Sequence, residues 1–172
     1  MAHAYSSMYG IPSTGLRFFT VYGPMGRPDM AYYQFIDRYF AGKPIKVYNG
    51  GDFQNDLYRD FTYIDDIVEG ITLVLDAPPT AAVPHRVFNI GNNRPVKLMD
   101  FIAALEDCLG RSLGRTVVFQ KEYESIKVGD VPATYASIDL LQQVVGFTPK
   151  TAIEDGLQKF TDWYVAYHAA KK

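Results

Sequence analysis

Cysteine, histidine and net charge are all scarce in this sequence, and each scarcity argues against a class of protein. Cys108 is the one cysteine among 172 residues, so the chain contains no disulfide framework. The three histidines, His3, His85 and His168, are far apart and match no metal-ligand spacing. A formal net charge of −2 argues against a nucleic-acid partner or a membrane surface bound through bulk charge. An anionic ligand would have to be held by locally placed arginines and lysines.

Long apolar segments are also absent. No apolar run reaches 18 residues and no signal-peptide pattern occurs, which predicts a soluble, cytoplasmic protein without a membrane partner. Hydrophobic residues nevertheless make up 48% of the chain, which is enough for one folded domain with a real core and excludes a disordered chain.

The stretch of residues 15–30, GLRFFTVYGPMGRPDM, carries the clearest structural signal. Residues 16–22 form a short, nearly continuous apolar run that ends at Gly23, a pattern typical of a strand covered on both faces. Such a strand belongs to a parallel sheet with helices packed on it. In open α/β sheets the ligand binds beyond the carboxyl ends of the strands, which is where Thr20 and Arg27 lie.

Strand and helix patterns continue along the chain and predict a mixed α/β or α+β fold. The predicted helices are residues 1–9, 29–41 with Asp29 as the cap, a segment opened by Asp65-Asp66, 98–109 with Gly110 as the stop, 137–145, and a last helix opened by Thr151. The other predicted strands are 45–48, 59–64, 86–90 and 116–119. Only 15–22 and 86–90 have the character of buried parallel strands. Because two strands do not make a doubly wound sheet, the chain is either an unusual small fold or part of a larger one.

Four segments, taken in order, resemble one protein family. They are LRFFTVYGP at 16–24, RDFTYIDD at 59–66, FNIG at 88–91 and GDVPATYA at 129–136. The sequence is similar to the C-terminal half of the NAD-dependent nucleotide-sugar epimerase/dehydratase family, the extended short-chain dehydrogenase/reductases. It looks most like the UDP-glucuronate 4-epimerases among them, in which GRPDM also follows the strand.

The resemblance implies a fold and a division of the chain. The fold is the C-terminal part of a Rossmann-type sheet together with a smaller α/β substrate-binding domain. The Rossmann part would take residues 1–28 and about 65–92, and the substrate lobe would take residues 29–64 and 93–172.

The resemblance also implies what this chain lacks. Family members are about twice as long, and their N-terminal half has a glycine-rich turn that binds the NAD pyrophosphate at a helix N-terminus. No G-x-G-x-x-G occurs here, and the catalytic Tyr-x-x-x-Lys pair of the family is expected just upstream of Met1. We therefore assign no catalytic residue to the chain and expect it to be inactive alone. NAD is expected as the cofactor of the full-length enzyme, and a homodimer remains an open alternative because relatives often dimerise.

By resemblance, three residues would meet the diphosphate and the ribose of a UDP-sugar. Arg59 would hold the pyrophosphate through paired hydrogen bonds, and its alternative is a surface ion pair with Asp60 or Asp66. Lys127 would stand against the phosphate, and Asp130 would accept hydrogen bonds from the ribose hydroxyls. The alternatives are a solvated lysine and a turn-forming aspartate.

Two further groups follow from the resemblance. Residues 45–48, IKVY, are similar to the strand that lines the uracil, so Lys46 and Tyr48 are expected there, with Tyr48 stacked on the base. The alternative is a half-buried edge strand. The nicotinamide of NAD is expected against three strand residues that also fit plain core: Phe18, Phe19 and Val21.

Thr20 together with Arg27 looks like the pattern of enzymes that handle a glucuronate. Arg27 would meet the sugar carboxylate, and its alternative is a turn residue at the end of the strand. A 4-keto sugar with a C5 carboxylate is a β-keto acid that readily loses carbon dioxide, so a held carboxylate would resist that loss. The sequence thus predicts the UDP-sugar-binding half of an NAD-dependent UDP-glucuronate 4-epimerase-like enzyme. The alternatives are a non-catalytic nucleotide-sugar-binding module and a fragment of a UDP-sugar decarboxylase or 4,6-dehydratase.

Overall fold

A computed structural model describes residues 1–54, 56–126 and 128–169. Within these ranges there are six helices: α1 (Ala2–Tyr9), α2 (Ala31–Phe40), α3 (Ile64–Leu75), α4 (Leu98–Leu113), α5 (Asp139–Val145) and α6 (Ile153–Ala169). The same ranges hold eight short strands: β1 (Ser13–Phe18), β2 (Thr20–Tyr22), β3 (Ile45–Val47), β4 (Tyr58–Arg59), β5 (Phe61–Tyr63), β6 (His85–Ile90), β7 (Val96–Lys97) and β8 (Lys121–Tyr123).

The strands form pairs, most of them parallel. Strands β1 and β6 pair in parallel with Gly15 opposite Val87, and the pairs β2–β5 and β3–β8 are parallel as well. Strands β4 and β7 form an antiparallel pair. Helices lie between the paired strands along the chain, so the predicted mixed α/β fold is confirmed.

The predicted strand at 15–22 is not continuous, because the chain changes its neighbouring strand at Phe19. The Phe19 N–H donates to the Ile90 carbonyl at 3.3 Å, and the next N–H, that of Thr20, donates to the Asp60 carbonyl at 3.2 Å. Strand β1 therefore pairs with β6 whereas β2 pairs with β5. Burial on both faces is also wrong for β1, whose last two residues are exposed. The switch places Thr20 beside Asp60.

Two predicted helix caps are displaced. Met30, and not Asp29, is the N-cap of α2, and the Asp29 carboxylate instead accepts a hydrogen bond from Arg27. Helix α4 continues through Gly110 to Leu113 and ends at Gly114, whose φ of 65° is the left-handed conformation that glycine adopts without strain. Gly110 therefore lies inside the helix.

Helix α3 begins one residue before the two acids that were predicted to open it. Tyr63 is the N-cap, and both Asp65 and Asp66 lie in the first turn. The Asp66 carboxylate is buried and accepts a hydrogen bond from the Thr151 N–H at 3.1 Å. Asp66 thus ties α3 to the segment that leads into α6.

The strand predicted at 116–119 is absent, and β8 begins five residues after its predicted start. Val117 and Phe119 are buried and Val118 is exposed, which is the alternation that suggested a strand. However, the Phe119 N–H donates to the Glu106 carboxylate at 2.6 Å instead of to a neighbouring strand. A side chain therefore satisfies the backbone group that sheet pairing would have used.

The core consists of two clusters of buried side chains. The larger lies among α2, α4, α6 and the strands β2, β3 and β5, and the smaller lies among α3, β6 and α5. Phe61 and Phe101 stack at the centre of the larger cluster, with ring centroids 4.0 Å apart and planes 9° apart. Among the described residues, no helix combines the length and the apolar character needed to cross a membrane.

Candidate functional site

A cavity of about 550 Å³ opens where β2, β3 and β4 meet the start of α2. This volume lies in the range of small-molecule sites. Its lining includes five of the seven residues that the resemblance assigns to substrate: Thr20, Lys46, Tyr48, Arg59 and Asp130. These residues lie up to 110 positions apart in the sequence and come from four different segments.

Arg59 is a cation of this cavity that three acceptors hold in place. Its guanidinium donates to the Tyr58 carbonyl at 2.9 Å and to the Pro132 carbonyl at 3.3 Å, and its other Nη donates to the Asp130 carboxylate at 2.9 Å. The Arg59 side chain is 20% exposed. The carboxylate partner of Arg59 is therefore Asp130. The partners considered from the sequence, Asp60 and Asp66, do not form this ion pair.

Lys46 contributes a second cation, which is paired with Glu124. The ammonium lies 2.5 Å from the Glu124 carboxylate. This hydrogen bond and the charge of Glu124 raise the pKa of Lys46. No local pattern points to Glu124, which lies 78 residues away from Lys46 in the chain.

A neighbouring cavity of about 420 Å³ contains the residues expected near a nicotinamide. Phe18, Phe19 and Val21 line it together with Arg27. The Arg27 side chain is 74% exposed and forms an ion pair with Asp29 at 3.0 Å. Arg27 thus lines a different cavity from Thr20, although the two were expected at one mouth, and its partner Asp29 lines the larger cavity.

The two cavities adjoin each other. Met30 lines both, and a more open depression next to them shares Phe18, Phe19 and Thr20. A ligand that filled both cavities would therefore pass over the point where β1 gives way to β2. Lys127, which was also assigned to substrate, lies outside the described residues.

Asp60 is the residue that sequence reasoning missed at this site. It is completely buried, and its carboxylate accepts hydrogen bonds from the backbone N–H groups of Asn92, Asn93 and Ala136. A signal was present, because a carboxylate within the strand predicted at 59–64 requires hydrogen-bond partners if that strand is buried.

Comparison with known proteins identifies the family. Residues 1–91, which are more than half of the chain, match the NAD dependent epimerase/dehydratase family. The chain belongs to this family. The family is NAD dependent. The parallel strand pairs of this chain match the Rossmann-type fold of the extended short-chain dehydrogenase/reductases, as expected.

Relatives within the family are similar over nearly the whole chain. Protein CapI of Staphylococcus aureus is 44% identical over 182 aligned residues, which cover 98% of this chain and 52% of CapI. UDP-glucuronate 4-epimerase 1 of Arabidopsis thaliana is also 44% identical, over 98% of this chain and 40% of that protein. The chain thus spans about half the length of the curated relatives it matches.

A solved structure of the family shows the same arrangement of the backbone. UDP-glucuronic acid 4-epimerase of Bacillus cereus, crystallised with UDP-glucuronic acid and NAD, superposes with a TM-score of 0.79 at 30% sequence identity. The match covers 96% of this chain and 49% of the Bacillus cereus chain.

Proposed function

We propose that the chain is the UDP-sugar-binding half of an NAD-dependent UDP-glucuronate 4-epimerase-like enzyme. The observation that carries this proposal is the cavity of about 550 Å³ that gathers Arg59, Lys46, Tyr48, Thr20 and Asp130. A UDP-sugar offers a base, a ribose and a doubly charged diphosphate, and these five residues offer an aromatic ring, a carboxylate and two cations for them.

Each group of the nucleotide has a partner in this arrangement. Arg59 faces the diphosphate, because its guanidinium is oriented beforehand by two backbone carbonyls and by Asp130. Lys46 lies on β3, Tyr48 directly follows that strand, and both line the cavity, where they would meet the uracil and its ribose. Asp130 accepts from the ribose hydroxyls once the ligand replaces part of its contact with Arg59.

The neighbouring cavity fits one face of a nicotinamide ring. Phe18, Phe19 and Val21 form an apolar wall there, and the exposed Phe18 ring presents a surface that a flat heterocycle can cover. In the whole enzyme, NAD bound there would supply the hydride acceptor and donor for reversible oxidation at C4 of the sugar. The residues of this chain would hold the sugar over that wall and exclude water from it.

Arg27 would select the sugar. It lines the cavity of Phe18 and Phe19, so a sugar that extends from the diphosphate toward the nicotinamide wall would bring its C5 substituent near the Arg27 guanidinium. A carboxylate at that position gains a charge-assisted hydrogen bond that a neutral hydroxymethyl group cannot match. The ion pair with Asp29 at 3.0 Å would have to loosen for this contact.

Calorimetry tests the proposal with UDP, UDP-glucose and UDP-glucuronate. We expect all three to bind, and UDP-glucuronate to bind about tenfold more tightly than UDP-glucose, which corresponds to about 1.4 kcal/mol. Arg27→Ala should bring the two sugar nucleotides to equal affinity and leave UDP itself unchanged.

Arg115→Ala is the matched control, because Arg115 is another exposed arginine and lies outside both cavities. It should retain the preference for glucuronate. Failure of the wild-type chain to bind UDP would refute the site. A preference that persists in Arg27→Ala would refute only the role of Arg27.

A further inference from the structure

Asp60 occupies an unusual position beside the proposed diphosphate site. It follows Arg59 directly, yet its side chain is completely buried whereas that of Arg59 lines the cavity. One carboxylate oxygen accepts from the Asn92 N–H at 2.8 Å, and the other accepts from the N–H groups of Asn93 and Ala136, both at 3.0 Å. Among the described residues, none of the ion pairs includes Asp60. The buried charge is thus balanced by backbone dipoles.

The backbone of Asp60 is bonded to the same surroundings. Its carbonyl accepts from the Thr20 N–H at 3.2 Å, and its N–H donates to the Thr134 hydroxyl at 3.4 Å. One residue therefore connects β2, the turn after β6 and the segment 130–136, which follows β8.

The segment 130–136 is the part that matters for Arg59. Its Pro132 carbonyl accepts from the Tyr58 N–H at 3.0 Å, and its Thr134 N–H donates to the Tyr58 carbonyl at 3.2 Å. The same segment supplies the Pro132 carbonyl and the Asp130 carboxylate that orient the Arg59 guanidinium. The position of Arg59 thus depends on how firmly this segment is held against β4.

Gly91 lets that segment approach the turn after β6. A Cβ added at Gly91 would lie 2.4 Å from the Ala136 Cβ and 3.4 Å from the Asp60 carboxylate. The close packing of Gly91 against Ala136 therefore occurs beside the three hydrogen bonds of the Asp60 carboxylate. This packing lets the Ala136 N–H reach that carboxylate.

We infer that Asp60 is a positioning residue for diphosphate binding: its buried carboxylate anchors the segment 130–136, and that segment orients the Arg59 guanidinium. The inference rests on the proposed function, because it assigns Asp60 a role in that same site. Asp60 acts through Arg59 and does not touch the ligand. The ionised carboxylate is required because three N–H donors converge on two oxygens, and an amide would turn a donor toward at least one of them.

Asp60→Asn tests this inference, with UDP and uridine as the probes in calorimetry. We expect the ratio of UDP affinity to uridine affinity to fall about tenfold, while the uridine affinity itself changes less than about threefold. A purely structural role would lower the amount of folded protein and leave the ratio unchanged. NMR of the same variant should show faster exchange of the Asn92, Asn93 and Ala136 amide protons.

Asp66→Asn is the matched control, because Asp66 is also a buried aspartate that accepts a backbone N–H, at 3.1 Å from Thr151, and it lies outside the cavity. Asp66→Asn should destabilise the chain and leave the ratio of UDP affinity to uridine affinity unchanged.

Gly91→Ala is a second test variant, in which the added methyl group pushes against Ala136 while Asp60 is intact. It should lower the same ratio as Asp60→Asn does. Gly91→Ala replaces Asp60→Asn as the test if Asp60→Asn does not fold. An unchanged ratio in Asp60→Asn or Gly91→Ala would overturn the inference, whereas wild-type chain that binds UDP no better than uridine would overturn the proposed function.

Discussion

Replacing Arg59 by alanine is expected to lower the affinity of the chain for UDP by about 10- to 100-fold. Hydrogen bonds to charged groups contribute about 1.5–3 kcal/mol, which corresponds to that range. The Arg59 side chain is only 20% exposed, so solvent weakens its charge less than it would weaken that of a free surface arginine. Calorimetry with UDP measures the change directly.

Two further variants make this prediction specific. Arg59→Lys keeps the charge but loses the fork that donates to Tyr58, Pro132 and Asp130 at once, so it should recover only part of the affinity. Arg86→Ala removes another partly buried guanidinium that donates to a backbone carbonyl, that of Ala77, outside the cavity. UDP affinity equal to wild type in Arg59→Ala, or a loss of the same size in Arg86→Ala, would contradict the assignment.

Replacing Phe101 by alanine is expected to lower the free energy of unfolding by about 3–5 kcal/mol. Phe101 is completely buried in α4 and stacks on Phe61 of β5, so the substitution opens a cavity at the centre of the larger core cluster. Because native domains are stable by about 5–15 kcal/mol, this loss would leave the chain close to unfolding. Chemical denaturation followed by circular dichroism gives the measurement.

Phe53→Ala serves as the comparison for Phe101→Ala. The Phe53 ring is 56% exposed and touches Tyr123 edge-on, with centroids 5.3 Å apart. Its loss should cost less than about 1 kcal/mol, since little buried area is removed. Equal destabilisation by the two variants would mean that the stack of Phe61 and Phe101 is not central to the fold.

Local pattern was sufficient for much of the fold. The order of helices and most strands followed from apolar periodicity and from the glycines and prolines that end each run, because these signals act over a few residues. Errors occurred where a distant group intervened. The N–H of Phe119 is taken by the Glu106 side chain, and α4 continues past Gly110 because packing overrides the weak helix propensity of one glycine.

In the candidate site, too, some residues could be proposed from the sequence, whereas their arrangement could not. Motif resemblance alone was enough to propose Arg59, Asp130, Lys46, Tyr48 and Thr20, and these five residues line one cavity. It could not show that Arg27 lies in the adjoining cavity, since a turn of four residues after β2 leaves the direction of the chain undetermined. The ion-pair partners of Lys46 and Arg59 also depend on which strands become neighbours. These partners are Glu124 and Asp130.

The amino-acid sequence by itself determined the family, the mixed α/β class and the residue types available for an anionic ligand, because these depend on composition, short-range periodicity and short motifs. Only the tertiary structure decided that the apolar run at 15–22 changes partner at Phe19, and that Asp60 thereby lies beside Thr20, Asn92 and Ala136. The physical reason is that backbone pairing and burial are satisfied between segments far apart in the chain. No local pattern specifies which N–H will meet a buried carboxylate.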